Sequence, residues 1–180
     1  MCRRSGRAGA ARAGQRRWRR SGFALIEVVV SAALVGLGVA ALLVTIQAGT
    51  RASQAGREIT QATYLAQEIR EWMLKLPFRD PQNPTNPAGP DPSDPTGFVD
   101  DVDDLMNATY SPPVNANGGT ISGLVGWSQH ITLEWKDPNA LSGGSVPAGS
   151  SDVIRALVTV AHNGRTVLTA GWLVNRRTTE

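Results

Sequence analysis

The chain has 180 residues, 41% of them hydrophobic, which suits one domain with a modest core. Its formal net charge of +3 is unevenly placed: eight of the 18 basic residues (Arg3, Arg4, Arg7, Arg12, Arg16, Arg17, Arg19, Arg20) precede Gly22 in a stretch without an acid, so residues 23–180 carry 10 basic and 15 acidic residues, a balance of −5. That balance disfavours phosphate binding, so nucleic acid is an unlikely partner, and the single cysteine, Cys2, leaves no disulfide for the chain after residue 22.

Residues 1–22 read as a basic leader. Behind it, residues 23–46 form an apolar run of 24 residues whose one charge is Glu27. At about 1.5 Å per residue, a helix of that length crosses a hydrocarbon core of about 30 Å. An ordinary secretory signal has a shorter apolar region, about 7–15 residues, followed by a small-x-small cleavage site. A twin-arginine export signal fits poorly, because Phe23 comes one place too late after Arg19 and Arg20 and a carboxylate interrupts the apolar region. The basic flank keeps residues 1–22 in the cytoplasm by the positive-inside rule and sends the remainder out. A single-pass membrane protein with an extracytoplasmic C-terminal domain is expected, and topology accounts for the leader arginines without nucleic acid.

Gly22 followed by "FALIEVVV" resembles the type IV prepilin motif, in which a basic leader ends in Gly, Phe commonly follows, and Glu is fifth in the mature chain. The resemblance implies cleavage by a prepilin peptidase between Gly22 and Phe23, on the cytoplasmic face of the bacterial inner membrane, and N-methylation of Phe23. It also implies that Glu27 meets the amino terminus of a neighbouring pilin or pseudopilin subunit during assembly of a pilus or pseudopilus. The chemistry agrees: glycine lets a protease approach the backbone closely, and a carboxylate at mid-bilayer costs about 2.5–3.5 kcal/mol on insertion scales, which calls for a partner. Alone, Glu27 would read as a snorkelling carboxylate and Gly22 as an ordinary flexible residue; leader, Gly22, Glu27 and apolar helix together carry the resemblance. Gly36 and Gly38 each weaken a helix interior by about 1 kcal/mol relative to Ala. Two readings of this pair stand side by side: a place where the helix melts during assembly, and a thin surface for helix packing in the membrane.

Residues 47–76 continue the helical rhythm beyond the membrane. Ala48, Ala52, Ala55, Ile59, Ala62, Ala66, Ile69, Met73 and Leu76 recur at spacings of three and four, opposite a polar side with Arg51, Arg57, Glu58 and Glu68. Pro77 stops the pattern. One helix from about Phe23 to Leu76 is therefore expected, half in lipid and half outside. A sustained stripe of this kind also suits a coiled coil, but its many alanines favour close packing on a sheet. "ATYLAQEIREWM" resembles the helix of minor pilins and small pseudopilins more than that of major pilins.

Residues 77–119 read as a variable loop region. Seven of the 21 residues from Pro77 to Gly97 are Pro, a density that no regular element survives. Next, "FVDDVDDLMN" groups Asp100, Asp101, Asp103 and Asp104. Calcium takes six to eight oxygen ligands, and some pseudopilins bind it, but the Gly and terminal Glu of an EF-hand loop are missing. A solvated acidic turn is the expectation, with calcium as a weak alternative and no other cofactor.

Residues 120–180 change period. In "WSQHITLEW", Trp127, Gln129, Ile131, Leu133 and Trp135 alternate onto one face. "DVIRALVTVAHNGRTVLTAGWLV" reads as a hairpin about a type I′ turn at Asn163 and Gly164. Counting outward from that turn pairs Val160 with Val167, Val158 with Thr169, Ala156 with Gly171 and Ile154 with Leu173, leaving a shallow point at Ala156 and Gly171 for an Ala-rich helix. At least three antiparallel strands on a long N-terminal helix give an α+β, pilin-like fold.

Catalysis has little support: His130 and His162 have no Cys or acid at metal or triad spacing, and the serines show no nucleophile-elbow pattern. The expected protein is a non-enzymatic minor pilin or pseudopilin; the lack of a C-terminal disulfide separates it from many major pilins. Competing classes are a DNA-uptake or adhesive module on the same anchor, and a single-pass envelope enzyme.

Overall fold

The computed structural model describes residues 21–80, 87–90 and 99–176. Most of the basic leader, parts of the Pro-rich segment (81–86, 91–98) and residues 177–180 lie outside the described residues. The chain divides into two units, residues 1–50 and 51–180. Within the first, the described residues are all helical and belong to α1, Ser21–Lys75, which matches the expected helix within two residues at either end. From Ala24 onward the side chains of this unit are exposed.

The second unit contains the rest of α1 and a four-stranded antiparallel sheet in the order β1 (Thr109–Tyr110), β2 (Trp127–Trp135), β3 (Val153–His162), β4 (Arg165–Asn175). Its core joins Leu65, Ile69 and Met73 of α1 to Ile131 of β2 and to Ile154, Ala156, Val158 and Val160 of β3. The expected alternation holds in β2, where all five named residues are buried. Gln129 is a polar member of that face and is fully satisfied: its Oε1 accepts from the Val114 N–H at 2.8 Å, and its Nε2 donates to the carbonyls of Leu65 at 2.9 Å and Val114 at 3.2 Å. β1 falls within the segment expected to be loop; two residues are too few to show a period.

The hairpin turn is as expected, with Asn163 at φ 51° and Gly164 at φ 76°. The register beyond it is not. Ala161 pairs with Thr166, but Val160 pairs with Leu168, so Val167 is an extra residue in a bulge. A slip of one residue moves each later side chain to the other face. Val158 therefore faces Ala170, Ala156 faces Trp172 and Ile154 faces Val174. Gly171 lies opposite Leu157 instead, and a Cβ there would come within 2.9 Å of Leu157 Cδ2. The expected shallow point at Ala156 and Gly171 is replaced by a continuous inner face containing Leu168, Ala170, Trp172 and Val174.

Loop segments strap the helix to the sheet. The Glu68 carboxylate accepts from the Ala116 N–H at 2.6 Å, and Lys75 Nζ donates to the Ala116 carbonyl at 2.9 Å. Gly118, at φ +74°, presses on Trp72; any Cβ there would sit 2.7 Å from the indole. Lys136, buried at the end of β2, donates to the Gly143 carbonyl at 3.1 Å and lies 3.1 Å from Glu134, holding the long β2–β3 connection.

Candidate functional site

The apolar half of α1 exposes its whole side-chain surface: Leu25 is 70% exposed, and Leu34, Leu37, Leu42 and Ile46 are also exposed. It belongs to the one helix among the described residues that is long and apolar enough to cross a membrane. Its one threonine, Thr45, donates to the Ala41 carbonyl at 2.9 Å, and Thr50 just beyond it donates to the Ile46 carbonyl at 2.9 Å.

Glu27 is exposed in this setting, and no cation or donor among the described residues meets it. Gly22 and Phe23 lie in the first turn of α1. Gly36 and Gly38 have open space where a Cβ would stand, so no close contact within the chain requires glycine at either position.

The expected stripe splits. Ala62, Ala66, Ile69 and Met73 are buried, joined by Leu65 and Trp72, whereas Ala48, Ala52 and Ala55 are exposed and Ile59 is 53% exposed. Intramolecular packing thus accounts for the stripe only from Ala62 onward. The sheet's contact with the exposed stretch is a clasp at the hairpin tip. Glu58 Oε2 takes an ion pair from Arg165 at 2.9 Å, and Glu58 Oε1 lies 3.3 Å from His162 Nδ1, whose ring stacks on Trp127 at 4.5 Å. Sequence reasoning missed this clasp because its partners are more than 100 residues apart.

The acidic turn differs from a solvated one. Asp101 is 4% exposed; its Oδ1 accepts from the N–H groups of Asp103 at 2.8 Å and Asp104 at 3.1 Å, capping the 3-10 turn Asp103–Leu105. Asp104 Oδ2 accepts from the Asp100 N–H at 3.1 Å, and Asp103 Oδ2 from the Gly89 N–H at 2.9 Å. Asp100, Asp101 and Asp104 can each place one oxygen within 4.8 Å of the others; Asp103 does not join them. Burial, reinforced by the Asp103 carboxylate, pushes Asp101 up to about 8. The Asp101 and Asp104 carboxylates already serve the turn's own amides, and that of Asp103 serves Gly89. His130 and His162 are separate: His130 Nδ1 lies 2.9 Å from Thr109 Oγ1, and His162 belongs to the clasp.

No family model, curated protein or solved structure matches this chain.

Proposed function

We propose that the chain is a membrane-anchored, non-enzymatic assembly subunit, either a minor pilin of a type IV pilus or a pseudopilin of a type II secretion system. It is held in the bacterial inner membrane with residues 47–180 outside the cytoplasm. Glu27 is the observation that carries this reading: a lone carboxylate, fifth after Gly22, on an otherwise apolar and fully exposed helix half. In lipid such a group is costly without a partner. Cutting after Gly22 creates an amine at Phe23, and the amine of an adjacent subunit neutralises Glu27 while the apolar helices bundle. Further support comes from the α+β architecture, in which the second half of the helix packs on an antiparallel sheet, the arrangement that the resemblance implies.

Mass spectrometry of the mature protein should find a chain beginning with N-methylated Phe23. A chain still starting at Met1 in cells with an active prepilin peptidase would sink the assignment. Glu27→Leu should be inserted and cleaved normally, yet its fraction in sheared assemblies should fall. Normal assembly of that variant would refute the pairing and leave the cleavage intact.

A further inference from the structure

β4 is an edge strand of unusual composition. From Thr166 to Val174 it carries no charge and no proline, and among the described residues its outer side has no partner strand. Alternate backbone N–H and C=O groups of such an edge point outward, and exposed edges are ordinarily blunted by Lys, Pro, a bulge or a covering segment; the bulge of β4 lies at Val167, and the strand from Leu168 to Val174 is regularly paired on its inner side. The outward Leu173 is 50% exposed. On the inner face of the same strand, Trp172 Nε1 is the buried side-chain donor without an acceptor among the described residues.

Beside the end of β4 lies a cavity of about 520 Å³, between the last turn of α1 with its following segment and residues 173–176. Leu74, Leu76, Phe78 and Leu173 give it apolar walls, and three cations, Lys75, Arg79 and Arg176, line it against one acid, Asp80. Arg79 Nη2 donates to the Gly149 carbonyl at 3.1 Å and lies 3.8 Å from Asp152, while Arg176, more than half exposed, lies 3.7 Å from Asp152, beyond hydrogen-bond length. A free edge, an apolar recess and a cationic end form the three parts of a strand-addition site: main-chain bonds give affinity, and pockets for alternate side chains give specificity.

We infer that β4 accepts, as a fifth strand, an extended segment of another protein that carries a carboxylate at the Arg79–Arg176 end and an apolar side chain for the recess. A second copy of this chain is a poor occupant. In antiparallel β4–β4 pairing the Arg165 end of one copy meets the Arg176 end of the other, and residues 165–176 offer no carboxylate to either. The added strand also brings side chains beside Trp172, where a hydroxyl can accept its indole N–H.

The test uses the full chain in phospholipid nanodiscs and two fluorescent peptides, Thr-Val-Thr-Val-Thr-Glu with a free carboxylate and Thr-Val-Thr-Val-Thr-Lys with an amide end. The acidic peptide should bind saturably, at least tenfold tighter than the basic one, and slow amide exchange in residues 165–176 but not in 127–135. Arg176→Glu should weaken it tenfold or more. Absence of saturable binding, equal binding of the two peptides, or protection outside β4 would each overturn the proposal. So would protection of β4 without peptide that disappears on dilution, which would assign the edge to a second copy. None of these readouts depends on cleavage after Gly22 or on Glu27, so the site and the proposed assembly role can fail separately.

Discussion

The two halves of α1 are both rich in apolar residues, yet only the second is covered by the chain itself. Residues 62–73 hide one stripe under the sheet, while residues 24–46 show apolar side chains all round to the outside. A helix with a single apolar stripe can be covered by one neighbour, whereas a helix apolar on every side requires an apolar surrounding, lipid or other helices. The contrast separates what the chain supplies for itself from what it must obtain elsewhere.

Core truncation should break the symmetry most strongly. Leu65→Ala should cost about 2–5 kcal/mol in denaturant unfolding of the second unit, while Leu34→Ala should leave that transition in place. Equal losses would show that the halves are not independent. The pH dependence comes next. Asp101 is raised in the folded protein to about 8 from an ordinary 3.8, so its protonated form favours folding. Stability from this group is full below about 4 and is lost as pH rises toward 8, with a slope of at most about 1.4 kcal/mol per pH unit for one proton. Asp101→Asn keeps the capping oxygen and should flatten the melting profile across that window.

Gln129→Leu should cost about 1–3 kcal/mol, since it strands the Val114 N–H and removes the tie to the Leu65 carbonyl. An unchanged melting curve would show that water replaces it. The smallest effect belongs to the clasp: Glu58→Ala should lower global stability by no more than about 1 kcal/mol, yet speed amide exchange at the hairpin tip and at residues 51–61. Faster exchange confined to one partner would show that the clasp does not couple them.

Some of this was legible in the residues. The strict alternation of β2 places five side chains on the inner face, and Asn163–Gly164 marks the β3–β4 turn because both positions need positive φ. The bulge at Val167 has no such marker: an extra Val among β-formers looks like the strand on either side, so pairings counted outward from the turn fail after two residues. The alanine stripe shows which face is apolar but not where the sheet ends, and for that reason Ala48, Ala52 and Ala55 were expected under cover that only Ala62 and later residues receive. The grouped acids suggested solvent or calcium. Their service to backbone amides depends on the chain turning back on itself, which spacing alone does not disclose. Glu27 is the one charge of its apolar run in the sequence, and in the structure it is exposed, with no cation or donor beside it among the described residues.

The ties along α1 bear on how the second unit carries load. Glu58, Leu65 and Lys75 are fastened in turn to the hairpin tip, to β2 and to the 113–119 strap, about 10 and 15 Å apart along the axis at 1.5 Å per residue. Tension applied along the helix from residue 51 loads all three in shear, and they must slip together. Force applied sideways at Arg165 meets only the first, so the same domain resists traction along its axis far better than peeling from the tip.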